Sequence, residues 1–331
     1  MREHKASSSQ FTPFELPTDW NDCYSSTDRQ SVEMIITWLN DHHRSLTWIG
    51  TAAHVNRSTL STVLKGSYPS PPDKVLKKVA ATIHNINERN QVSDIPFIES
   101  TITTMVWMAC KRARTQKSFA VVTGEVGTGK TRSLQEYVAA NPNTYLIQSD
   151  PLMSPTILMD ELVEVLGIPA GKGYRSKEKK FRMVVDELRG TDVLLILDEA
   201  ETVNDLTLHY LRRIRDKAEI GIVLAGTPKL DRKIAPIGGQ FDQIRSRVMF
   251  WPKPIRSATK EDIFAVANAA FEDIGELDDA TLKALWHHTQ GSMRMLTEGL
   301  IPAIRDYGLK KHPMSADLVH AIARDVLSLT R

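Results

Sequence analysis

Eight consecutive residues, Gly124, Glu125, Val126, Gly127, Thr128, Gly129, Lys130 and Thr131, read GEVGTGKT and fit the pattern G-x-x-x-x-G-K-[ST]. Glycines at this spacing let the backbone wrap so that its N–H groups converge on phosphate oxygens. A helical pattern from Arg132 to Ala140 follows, and a helix N-terminus adds partial positive charge at the same place. Lys130 is placed to contact the β- and γ-phosphates of a nucleoside triphosphate, and Thr131 to ligate Mg²⁺. Further along, VLLILDEA (193–200) reads as a buried strand that delivers Asp198 and Glu199 at its C-terminal end. Ligands bind at that end of an open α/β sheet. Asp198 suits metal coordination, and Glu199 is placed to polarise a water for attack on the γ-phosphate. A third run, GIVLAGTP (221–228), ends at Thr227, whose hydroxyl suits orientation of that water. The bland alternatives are a glycine-rich turn, an acidic helix start and a satisfied strand-end threonine.

These residues need a scaffold, and the hydrophobic pattern supplies one. From Phe97 a helix (98–114) leads into the apolar run 118–124. β-like runs at 144–150, 193–200 and 221–228 then alternate with helical ones at 155–166, 176–189 and 205–217. Such alternation marks a parallel sheet with helices on both faces. From Lys260 the chain reads as helices only, at 260–274, 278–289, 292–307 and 315–329. The expected division is an arm (1–28), a helical domain (29–87), a linker (88–97), an α/β domain (98–258) and a helical lid (259–331).

With 331 residues the chain is long enough for two or more domains. Its 42 Lys and Arg against 40 Asp and Glu leave a net charge of +2, so any nucleic-acid surface must come from local clustering. Two cysteines, Cys23 and Cys110, exclude a disulfide framework and point to a reducing compartment. The N-terminus lacks the apolar core of a secretory signal. The longest aliphatic run, Val193 to Leu197, is far short of a membrane span, so no membrane partner is expected.

Residues 1–28 are polar and broken by Pro13 and Pro17, which predicts a mostly disordered arm with Phe14 and Trp20 as possible docking points. Within 29–87, LTWIGTAAHV (46–55) and RSTLSTVLKG (57–66) form two short helical runs around the N-cap Asn56, a helix-turn-helix pattern. Arg57, Ser58 and Thr59 open the second helix with side chains suited to base edges or phosphates. Between Arg44 and Lys78, six basic residues face one acid, Asp73. The alternative is a helical docking domain with a solvated basic face.

Phosphate loop, Asp-Glu strand, polar residue closing the next strand and helical lid together resemble an AAA+ ATPase. The order SFAVVTGEVGTGKT, VLLILDEAE, IGIVLAGTP, FDQIRSRV (241–248) and GSMRML (291–296), behind a helix-turn-helix pattern, resembles more narrowly the transposition-regulator ATPases. That is the family of the phage Mu B protein and of TnsC-type target-selection regulators. The resemblance implies ATP and Mg²⁺ as cofactors. It assigns Arg247, or else Arg245, as a finger reaching the neighbouring subunit's nucleotide, and Arg294 as a lid sensor contacting phosphate. Thr227 stands where the family often has Asn. The family forms rings or helical filaments on double-stranded DNA and acts with a transposase, in some systems with an accessory targeting factor. The cytoplasm of a bacterial host is the expected location.

A duplex inside such an assembly needs a basic stripe on each subunit. Residues 171–182 offer Lys172, Arg175, Lys177, Lys179, Lys180 and Arg182 against Glu178 alone. Arg212 and Arg213, with Arg215, form a second candidate. Solvated helix faces are the alternative for both. The whole reads as an ATP-dependent, oligomeric regulator that presents DNA to a transposase and is reset by hydrolysis. A helicase-loading or replication-initiation ATPase shares every nucleotide residue, and a one-component regulator that senses ATP is the third reading.

Overall fold

The computed structural model describes residues 13–42, 44–93, 95–169, 176–235 and 239–329, with side chains at 85–93 left aside. The chain divides into two compact units, residues 1–94 and 95–331.

The first unit is helical. Helix α1 (Ser26–Asp41) opens with a capping box, in which Ser25 and Asp28 satisfy each other's backbone N–H groups. Helices α2 (Leu46–Ala52) and α3 (Arg57–Leu64) start at the side-chain caps Ser45 and Asn56. Helix α4 (Asp73–Ser93) completes the set and runs into the stretch expected to be linker. The core is Val32, Ile35, Leu39, Ile49, Leu60, Val63, Leu76 and Val79, all at helical spacing. Gly50 makes the α2–α3 turn possible, because a Cβ there would lie 2.8 Å from the Val55 carbonyl oxygen.

The described part of the expected arm is not loose. The Phe14 N–H donates to Asn40 Oδ1 at 2.8 Å, and Asn40 Nδ2 donates back to the Phe14 carbonyl. The buried Tyr24 hydroxyl donates to the Val63 carbonyl at 2.9 Å. Gly66, at φ +72°, lies so close to the Asp19 carbonyl that a Cβ would meet it at 2.6 Å. Aromatic burial and paired backbone groups outweigh the polar composition on which the disordered reading rested.

The second unit holds a five-stranded parallel sheet in the order β2-β3-β4-β1-β5. Its strands are β1 (Phe119–Thr123), β2 (Thr144–Gln148), β3 (Leu194–Asp198), β4 (Gly221–Gly226) and β5 (Val248–Phe250). Every residue of β1, β3 and β4 is buried, as expected of strands covered on both faces. Alternate residues serve opposite layers. Ala120, Val122, Leu194, Ile196, Val223 and Ala225 pack with α5 (Thr101–Gln116), α6 (Lys130–Ala140) and the C-terminal helices. Phe119, Val121, Leu195, Leu197, Ile222 and Leu224 pack with α7 (Pro155–Val165), α8 (Lys177–Leu188), α9 (Asp205–Ala218), α10 (Pro228–Ile234) and α11 (Asp242–Arg245).

The C-terminal part is α12 (Lys260–Ala270), α13 (Asp279–Thr289), a wound stretch Met295–Gly308 around the short α14 (Ile301–Ala303), and α15 (Ala316–Asp325). That stretch widens to π-type turns on both sides of Pro302, which has no N–H to close a regular turn. The carboxylate of Asp262 ties this part to the sheet layer. It accepts from the Thr101 N–H at 2.9 Å and the Thr101 hydroxyl at 2.6 Å, and closes a capping box with Thr259 at the start of α12. Burial would raise its pKa, but these hydrogen bonds more than offset that and hold it below the usual carboxylate value.

Candidate nucleotide site

Strands β1, β4 and β3 lie side by side, so the loop after β1, the end of β4 and the acids ending β3 share one rim. The loop between β1 and α6 needs its glycines. Gly127 and Gly129 have φ of +79° and +100°. Gly124 approaches the Ile255 carbonyl so closely that a Cβ would lie 2.6 Å from it. Lys130 is the first residue of α6, so the free N–H groups of a helix N-terminus open onto the loop. Val126 and Glu125 stand exposed at the tip, while Thr128 is buried and its hydroxyl donates to the Glu125 carbonyl. Arg132 pairs with Glu136 along the helix.

The Lys130 amine is buried. It donates to the Gly124 carbonyl at 2.7 Å, the Glu125 carbonyl at 2.9 Å and the Thr128 hydroxyl at 3.3 Å. Burial lowers its pKa, and the charges of Asp198, Glu201 and Glu125 work against that. The Thr131 hydroxyl donates to Asp198 Oδ2 at 2.6 Å, so a hydroxyl and a buried carboxylate meet across the loop and β3. Two oxygen ligands plus phosphate oxygens and water suit Mg²⁺. Among the described residues no group of three or more His, Cys, Asp or Glu is arranged to hold a metal by itself.

Glu199 is exposed and takes a left-handed backbone at φ +54°, a strained geometry for a residue with a Cβ. Its Oε1 accepts from Gln148 Nε2 at 3.2 Å. The Ser149 hydroxyl lies 2.7 Å from the Asp198 carbonyl and 2.8 Å from that of Glu199. Gln148 and Ser149 were missed in the sequence. The signal was there, because a polar pair closes the apolar run of β2. The register pairing Gln148 with Asp198 gives that pair its meaning.

Thr227 sits at the end of β4 on the same rim. Its hydroxyl caps α10 by accepting from the Lys229 N–H, and its own N–H donates to Glu201 Oε1 at 3.1 Å. Arg294 lies against the loop: its N–H donates to the Gly127 carbonyl at 3.0 Å, while its exposed guanidinium pairs with Glu298. Both proposed finger residues are held within their own chain. Arg247 pairs with Asp216 at 2.7 Å, and Arg245 with Asp242 at 3.4 Å.

The basic candidates divide by what holds them. Arg213 lies 4.4 Å over the Phe181 ring and 5.0 Å over Tyr210, and pairs with Glu178. Lys177 lies over Tyr210, and Lys180 is paired with Asp160. The Arg212 Nε is buried and accepted by nothing among the described residues. Lys179 and Arg182 stand exposed on α8 with no ion pair among the described residues. Lys172 and Arg175 lie outside the described residues. On α3, Arg57 and Ser58 are exposed and Thr59 is half-buried, but the Ser58 hydroxyl donates to Asn56 Oδ1 and reinforces the cap.

A family model described as an AAA domain matches residues 113–234, which contain the loop, β3 and Thr227. AAA domains bind nucleotide. The Mu-like prophage FluMu DNA transposition protein B of Haemophilus influenzae is 28% identical over 273 residues, covering 78% of this chain and 91% of that protein. The ATP-dependent target DNA activator B of Escherichia phage Mu is 25% identical over 273 residues, covering 80% of this chain and 84% of that one. These spans exceed the length of residues 95–331, so the likeness reaches into the helical unit. Among solved structures, Cdc6p of Pyrobaculum aerophilum superposes with a TM-score of 0.51 at 15% identity, over 72% of this chain and 71% of that chain, which shows a shared fold. No helix among the described residues is long and apolar enough to cross a membrane. Residues 113–234 thus match the AAA domain model, and the chain is similar over most of its length to the transposition B proteins of Mu-like phages.

Proposed function

We propose that this chain is an ATP-dependent regulator of DNA transposition that assembles on duplex DNA, presents it to a transposase and is reset by ATP hydrolysis. The observation that carries the reading is the joining of Thr131 to Asp198 beneath a glycine-rich helix start, in a chain similar over most of its length to target DNA activators.

The loop N–H groups and Lys130 hold the triphosphate. Thr131 and Asp198 are the ligands for Mg²⁺, which when bound offsets the negative charge of the phosphates. Glu199 accepts the proton of the attacking water, and the Gln148 bond fixes where its carboxylate waits. Arg294 brings the lid against the loop, so nucleotide occupancy is felt by the C-terminal helices. Arg247 reaches the nucleotide of the next subunit after exchanging Asp216 for phosphate, which makes ATP a condition of homo-oligomer assembly in rings or filaments. Lys179 and Arg182 of α8 contact DNA phosphates, with Lys172 and Arg175 beside them in sequence. Helices α2 and α3 act as a helix-turn-helix, with Arg57 toward nucleic acid. The protein works in the cytoplasm of a bacterial host.

Fluorescence anisotropy with labelled duplexes tests this reading. Binding should require ATP or a non-hydrolysable analogue, show little preference among sequences and weaken steeply with salt. Nucleotide-independent binding confined to one short operator would overturn it in favour of a one-component regulator.

A further inference from the structure

Glu201 has no part in the roles assigned above, yet its carboxylate sits at the junction of β3 and β4. Oε1 accepts from the Thr227 N–H at 3.1 Å. Oε2 is buried and accepts no hydrogen bond among the described residues. A Cβ on Gly226 would lie 2.1 Å from Oε2, so the carboxylate occupies the space that a side chain at 226 would take. The Gly226 carbonyl accepts from the Gly124 N–H at 3.1 Å, and the Gly124 carbonyl in turn receives the Lys130 amine at 2.7 Å. One run of contacts thus leads from Glu201, through Gly226 and Thr227, to the first glycine of the phosphate loop and its lysine.

Leaving a buried carboxylate oxygen unmatched is costly, and folding alone gives no reason to keep it.

We propose that Glu201 is a positioning residue for hydrolysis: it holds Thr227 and the Gly226–Gly124 backbone pair in register with Asp198 and Glu199. This rests on the ATPase reading. It concerns the rate of the chemical step and not the hold on nucleotide, because Glu201 acts through Thr227 and the strand end.

The test uses the full chain with duplex DNA, measuring kcat and KM for ATP and the dissociation constant of a fluorescent ATP analogue. Glu201→Ala should lower kcat by about tenfold or more and leave the dissociation constant within about threefold, the loss expected when one positioning hydrogen bond is removed. Glu201→Gln keeps an acceptor for the Thr227 N–H and should recover most of the rate. Gly226→Ala pushes the carboxylate aside without deleting it and should reproduce the Glu201→Ala loss. The double variant should be no slower than the slower single one, because both act on one contact. A Glu201→Ala protein at the wild-type kcat, or one losing nucleotide affinity and melting temperature in step with kcat, would overturn the role. A Gly226→Ala protein at full rate would do the same. A wild type no faster than Lys130→Ala would instead overturn the ATPase reading, and the role of Glu201 with it.

Discussion

The hydroxyl of Thr131 and the buried carboxylate of Asp198 meet at 2.6 Å, joining the first turn of α6 to the end of β3. Sixty-seven residues separate them in the chain, and the parallel packing of β1, β4 and β3 brings them together. This contact is the seat proposed for Mg²⁺. Thr131→Ala should therefore weaken the Mg²⁺ dependence of nucleotide binding and lower kcat by about tenfold or more, with Asp198→Asn following the same pattern. Titration of a fluorescent ATP analogue at several Mg²⁺ concentrations checks this. Equal Mg²⁺ dependence in wild type and variants would count against the assignment.

Asp216 holds Arg247 within its own chain, so the finger role requires an exchange of partners. Arg247→Ala should reduce DNA-stimulated hydrolysis by about a hundredfold or more while retaining nucleotide binding, as expected for an arginine acting on transition-state charge. Arg245→Ala should be nearly neutral. Mixing Arg247→Ala with Glu199→Gln should restore part of the activity, because one chain supplies the finger and the other the intact site. Failure to recover any activity on mixing would argue against action between subunits.

Much of this site was legible in the sequence. Gly124 to Thr131, Asp198 and Glu199 are set by local spacing at strand ends, and local spacing is what a sequence displays. Gln148, Glu201 and Asp216 were not legible in the same way. Their partners are Glu199, Thr227 and Arg247, and only the β2-β3-β4 register and the packing of α9 bring them together. The alternation of strands and helices was equally plain, because strands buried on both faces read as apolar runs. For the arm at 1–28, docking of Phe14 was foreseen but its place was not, because composition does not reveal that Phe14 and Tyr24 have partners in Asn40 and Val63. The partners of the basic residues were not legible either: charge in a row says nothing of the rings and acids that engage Lys177, Lys180 and Arg213.

Lys179 and Arg182 are the exposed cations of α8 among the described residues without ion pairs, so they should carry the DNA contact there. Replacing each with Ala should reduce the slope of log binding constant against log salt by about one per residue, nearly independently of DNA sequence. Arg213→Ala should mainly cost stability, because its guanidinium covers Phe181 and Tyr210. Anisotropy between low and moderate salt, paired with thermal melts, separates the two effects.

The Asp262 carboxylate links α12 to Thr101 and should matter to stability in a pH-dependent way. Its folded pKa is depressed below the unfolded value. The contribution is therefore complete above about pH 4, the ordinary range of an unfolded Asp, and is lost as pH falls through the lower folded value. Asp262→Asn should destabilise the protein by about 1–3 kcal/mol at pH 7, because it removes the charge and one acceptor oxygen from the bonds to Thr101 and the Thr259 N–H. The gap between wild type and variant should close as pH falls below about 4. Urea denaturation across that range checks the sign, and a gap that widened toward acid would contradict it.

The central claim is that triphosphate binding at Lys130 drives assembly on DNA and that Glu199 ends it. Negative-stain imaging with long duplex DNA, in ATP and in ADP, tests it directly on wild type, Lys130→Ala and Glu199→Gln. Rings or filaments should form with ATP and not ADP, be absent in Lys130→Ala, and persist in Glu199→Gln after wild-type assemblies have dispersed. Assemblies equally abundant in ADP, or in Lys130→Ala, would contradict the account.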